Sequence, residues 1–120
     1  MAGPVEVLQS GNNEIIYVNF SGAGPEQVEK IVRLASPVIR TRPEASVLTL
    51  TEVTAMPVSK LSTRHLEEFM TGNKPYVRAA AVFGLSSVAR AILGTLSLFT
   101  GRRLNTFSSK KEALSWLASQ

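Results

Sequence analysis

Strand-like and helix-like segments alternate along this 120-residue chain, which predicts an α/β fold: a five-stranded, mixed, mostly parallel sheet with helices packed on it. Three observations carry that prediction. Val77 to Phe83 is almost wholly apolar, with Arg78 its only charge, so it suits a central strand covered on both faces. Apolar segments on either side of the turn-rich Ser10-Gly11-Asn12-Asn13 read as a hairpin, which adds an antiparallel edge. The segments then follow in the order β-β-α-β-α-β-α-β-α, and parallel neighbours need such helical crossovers. Strand order within the sheet is not readable from one sequence.

Length and composition bound the rest. One domain over 1–120, with 1–4 as a loose terminus, fits the size, and a hydrophobic fraction of 44% argues against wholesale disorder. Cysteine is absent, which excludes disulfides and thiol chemistry. No basic-then-apolar leader opens the chain, so a cytoplasmic location is expected. The most apolar helix, 86–100, would span only ~22 Å against the ~30 Å of a bilayer core. A net charge of +4 permits weak attraction to anionic surfaces, and no nucleic-acid partner is expected. All nine acids are glutamates, which lowers the prospect of phosphoryl transfer and magnesium sites, both of which lean on Asp.

Taken in order, Val5 to Leu8 and Ile15 to Phe20 form the hairpin. Ile15, Tyr17 and Asn19 face one way, and Ile16, Val18 and Phe20 the other, so both faces of the second strand can be buried. Ser21-Gly22-Ala23-Gly24-Pro25 leads into a helix with proline at its first position. The glycines there lack the dinucleotide spacing and the lysine of a phosphate loop. Val28, Ile31, Val32, Ala35, Val38 and Ile39 give its buried stripe, and Pro37 is expected to kink or end it near Ala35 or Ser36. Arg40 and Arg42 are expected to be solvated at its exit.

Ser46 to Val53 is a second central strand, with threonines where helices press less tightly. After a loop, a helix from Lys60 to Gly72 turns Leu61, Leu66, Phe69 and Met70 inward. Gly84 ends the strand Val77–Phe83, and Ser86 or Ser87 can cap the third helix. Val88, Ala89, Ile92, Leu93, Leu96 and Phe99 make its core stripe. Its outer face holds Arg90, Ala91, Gly94, Ser97 and Leu98, unusually bland for a face in water. Gly101 closes it, followed by Arg102 and Arg103, where a helix C-terminus favours positive charge. Leu104 to Phe107 is a short last strand. Ser109-Lys110-Lys111-Glu112 has capping-box spacing and starts a final helix with Ala113, Leu114, Trp116 and Leu117 on its apolar face.

These residues resemble the SpoIIAA-like branch of the STAS-type domains. The likeness rests on Ile15 to Gly22, Val47 to Thr54, Asn73 to Arg78 with Ala81 to Gly84, Thr100 to Arg102, Phe107, and Glu112 to Leu117. No one motif is specific; their order and spacing across most of the chain make the match. The resemblance implies helices on a mixed sheet and no established enzymatic activity. A remoter likeness to CRAL-TRIO lipid-binding domains implies membrane association or an apolar ligand. STAS antagonists of anti-sigma factors carry a phosphorylatable serine after an aspartate at the start of the helix following the second central strand. Ser59 stands near that place, but the aspartate, the paired serine and the glycine are missing from Met56 to Leu61. Ser59 as an N-cap is the simpler reading.

No catalytic constellation is apparent, no cofactor or metal site is expected, and the chain reads as a non-enzyme. His65, the only histidine, has no Cys or Asp to join it. Glu52 lies at the C-terminal end of a central strand, where open α/β sheets place binding crevices, although pairing with a nearby Arg or Lys is the commoner fate. The expected ligand-binding crevice is Glu52, Thr54, Ser59, Gly84 and Ser86. Arg102, Arg103, Lys110 and Lys111 could form one basic patch for phosphate head groups or an acidic protein. Arg90, Ala91, Gly94 and Leu98 are the expected interface. The resulting expectation is a binding or regulatory module, a homodimer through the third helix. Its alternatives are a carrier or sensor of a small apolar ligand or anionic membrane surface, and a phosphoregulated antagonist acting through Ser59.

Overall fold

The computed structural model describes residues 3–91, 94 and 105–120. β1 (Val5–Ser10) and β2 (Asn13–Asn19) pair antiparallel across Gly11-Asn12, with Gly11 at φ +61°. Glycine adopts that left-handed value without steric cost, which lets two residues close the hairpin. β3 (Val47–Glu52), β4 (Val77–Phe83) and β5 (Asn105–Phe107) then add in parallel, giving the order β1-β2-β3-β4-β5. The fold class is the one the alternating pattern predicts.

Each parallel step moves the same way across the sheet, so right-handed crossovers put α1 (Pro25–Arg40) and α2 (Lys60–Asn73) on one face. Their core includes Ile16 and Val18 from β2 and Phe20 just beyond it, with Val28, Ile31, Ala35, Ile39, Leu66, Phe69 and Met70. Phe20 and Phe69 meet edge to face at 6.1 Å. α4 (Lys110–Ala118) covers the other face, where Ala113 and Leu117 pack on Ile15, Tyr17, Leu48, Leu50 and Ala81. β2 is therefore buried on both sides, as its unbroken apolar run requires.

Several local expectations are corrected. Pro37 does not end α1, which continues to Arg40. Ala35 and Ile39, both fully buried, anchor the helix on either side of the exposed proline, and that packing outweighs one missing hydrogen bond. Leu61 is 49% exposed; Ser62 and Asn73 take inward positions on α2 instead. Thr49 is buried beneath the helices rather than at a loosely covered site. Arg40 donates from Nε to Asn73 Oδ1 at 3.0 Å, and Arg42 pairs with Glu14 at 2.8 Å, so neither is merely solvated.

Residues 87–91 begin α3, and Ser86 is its cap, accepting from Ala89 N at 3.1 Å. Val88 was expected in the core and is 62% exposed, whereas Ala89 is buried. The serine cap fixes where the first turn starts, and in that turn Ala89 rather than Val88 is buried. Ile92, Leu93, Leu96, Ser97, Leu98, Phe99, Gly101, Arg102, Arg103 and Leu104 lie outside the described residues. Among the described residues, no helix is long and apolar enough to cross a membrane.

Candidate functional site

The C-terminal ends of β2, β3 and β4 are stitched together past the regular ladder. Phe20 N donates to Glu52 O at 2.8 Å, Gly22 N to Thr54 O at 2.9 Å, and Val53 N to Phe83 O at 3.1 Å. Gly84, at φ +87°, passes so close to Thr54 that a Cβ there would lie 2.8 Å from the Thr54 amide nitrogen. Only glycine satisfies both constraints. Ala55 follows at φ +55°, a left-handed value costly for a residue with a Cβ.

Alternation along the strands sends Tyr17 and Glu52 to the face that α4 covers. The Tyr17 hydroxyl donates to Glu52 Oε1. Lys110, at the first turn of α4, holds its ammonium 4.5 Å above the Tyr17 ring centroid, a cation–π contact. Burial disfavours the charge on Glu52, but hydrogen bonding from Tyr17, then Ser21 and Thr54, and the Lys110 charge outweigh it. The carboxyl is held below its usual range. Burial, reinforced by the hydrogen bond to Glu52 and its negative charge, pushes the Tyr17 phenol well above its ordinary value. Glu52 is thus a fixed acceptor and Tyr17 a fixed donor.

Of the five crevice residues read from sequence, Glu52, Thr54 and Gly84 come together here. Ser86 and Ser59 open α3 and α2, and both act as caps. Ser59 Oγ accepts from Ser62 N at 3.1 Å, so the N-cap reading fits its geometry. Ser59 also borders an open hollow with Lys60, Thr63 and Arg64. In the basic patch, Lys110 is drawn toward Tyr17 and Lys111 is exposed; Arg102 and Arg103 are outside the described residues. Of the interface residues, Arg90, Ala91 and Gly94 are exposed. His65 bridges toward α1, with Nε2 3.4 Å from Glu29 Oε2 and its side chain 14% exposed. Glu112 completes only half of a capping box: its amide is bonded by Ser109 Oγ, while its carboxylate accepts from Ser108 Oγ.

Tyr17, Ser21 and Lys110 escaped the sequence reading as members of the Glu52 cluster. A signal existed for Tyr17: a tyrosine in an otherwise apolar strand needs a partner for its hydroxyl. Glu52, on the same face of the neighbouring strand, offers that acceptor.

No family model matches the sequence, and no curated protein matches it. Among solved structures, the chain is similar to an uncharacterised protein of the DUF3478 family with a SpoIIAA-like fold from Shewanella loihica PV-4. The two are 14% identical with a TM-score of 0.67, covering 94% of this chain and 91% of that one. The fold is SpoIIAA-like; at that identity the likeness speaks to fold alone.

Proposed function

We propose, on the premise of a SpoIIAA-like fold, that the chain is a non-enzymatic binding module whose recognition face is the strand-end cluster of Tyr17, Glu52 and Thr54. One observation carries the reading: the two titrating groups are shifted in opposite directions, away from neutrality. A general acid or base works best with a pKa near the working pH, and neither group is tuned that way. A carboxylate kept ionised, with the buried Tyr17 phenol held as its donor, instead suits fixed hydrogen-bond recognition of a ligand or partner. Native mass spectrometry of freshly purified protein tests this. A reproducible added mass that disappears in Glu52→Gln supports it; a clean apo mass for the wild type counts against a carried ligand.

Self-association through α3 is a second reading, favoured by the exposure of Val88 beside Arg90, Ala91 and Gly94. Two copies of one apolar strip can cover each other about a twofold axis. Light scattering at high micromolar concentration tests it. A dimer that Val88→Glu converts to monomer supports the reading, and a strictly monomeric wild type removes it.

A further inference from the structure

At the end of the sheet opposite Glu52, the N-terminal ends of β2, β3 and β4 border a half-open polar pocket of about 220 Å³. Its wall includes Asn12, Asn13, Glu14, Arg42, Ser46 and Arg78. We propose that this pocket binds a small oxyanion, a phosphate or carboxylate group of a small molecule, between the Arg42 and Arg78 guanidinium groups.

Two backbone irregularities converge on it. β3 and β4 slip register between Val47 and Leu48: Val47 pairs with Val77 and Leu48 with Ala79, leaving Arg78 as the extra residue of a bulge. A bulge re-aims the side chain it carries and is disproportionately found beside binding sites. Ala45, just before Ser46, is held at φ +56°. Its amide and that of Ser46 donate to Pro75 O at 3.0 Å and Tyr76 O at 3.1 Å, so the strain is fixed by the segment that leads into Arg78.

The electrostatics favour an anion. Two guanidinium groups and one side-chain carboxylate line the pocket, and that carboxylate, Glu14, engages Arg42 Nε at 2.8 Å. Arg42 Nη1 donates to Thr41 Oγ1 at 3.1 Å, and Arg78 Nη2 to Gln120 O at 3.2 Å. Among the described residues, these bonds leave Arg42 Nη2, Arg78 Nε and Nη1, and the Asn12 amide as uncommitted donors. Guanidinium groups with donors to spare match the oxygens of phosphate or carboxylate.

The test is an amide and arginine-Nε NMR titration with inorganic phosphate and, separately, succinate, each against sodium chloride at matched ionic strength. Saturable shifts at Asn12, Asn13, Ser46 and the two arginine Nε groups are expected with at least one of them. Which anion saturates tells phosphate from carboxylate. Arg78→Gln keeps a side-chain amide donor and, with folding checked by its amide spectrum, should weaken binding about tenfold or more, whereas Arg33→Gln on α1 should not. Linear shifts reproduced by chloride with both anions would overturn the proposal, as would undiminished affinity in a folded Arg78→Gln protein.

Discussion

Tyr17 and Glu52 occupy neighbouring strands, and the phenol of one donates to the carboxylate of the other on the face beneath α4. Removing that donor with Tyr17→Phe should raise the Glu52 pKa toward its usual range and lower stability at neutral pH by about 1–2 kcal/mol. Folding favours the ionised carboxyl, so this contribution is complete above the unfolded-chain value of ~4.3 and fades as pH falls through the lower folded value. Carboxyl NMR titration of Glu52 and urea unfolding from neutral to acid pH measure both effects. An unchanged Glu52 midpoint would show that Tyr17 does not set its charge.

Gly84 and Ala55 should respond oppositely to exchange of one methyl group. Gly84→Ala places a Cβ against Thr54 at a left-handed φ, and should cost at least ~2 kcal/mol. Ala55→Gly relieves a left-handed alanine and should stabilise by up to ~1 kcal/mol. Thermal unfolding of the two variants reads both signs.

Asn73, at the end of α2, is fully buried and ties that helix to α1. It accepts from Arg40 Nε, and its amide donates to Phe69 O at 2.9 Å and Ser36 Oγ at 3.2 Å. Asn73→Ala should lower stability by about 2–3 kcal/mol, since it strands a guanidinium N–H as well as emptying the site. Chemical denaturation with an unchanged midpoint would contradict this.

Thr49 and Ser62 carry buried hydroxyls with no hydrogen-bond partner among the described residues. An unpaired buried hydroxyl is costly, so Thr49→Val, nearly equal in shape, should raise stability by about 1 kcal/mol. A lower unfolding midpoint for Thr49→Val would mean the hydroxyl is bonded after all.

Much of the architecture was legible because periodicity is local. The two faces of β2 follow from the alternation of Ile15 to Phe20, and the caps at Ser59, Ser86 and Ser109 follow from a serine preceding a helical pattern. What failed depended on neighbours. The inward stripe of α2 passes through Ser62 and Asn73, polar residues no apolar pattern can flag, and leaves Leu61 in solvent. Arg78 reads as a stray charge in an apolar strand, and only the register slip beside Val47 makes it the extra residue of a bulge.

The chain's own alternation of apolar and polar residues determined the element types, their order and the mixed sheet, since each pattern is written within a few residues of itself. Tertiary structure alone decided the strand order, the survival of α1 through Pro37, and the meeting of Tyr17 with Glu52 and Lys110. Those outcomes depend on contacts between residues dozens of positions apart. Their geometry exists only once the strands have chosen neighbours and the helices have covered them.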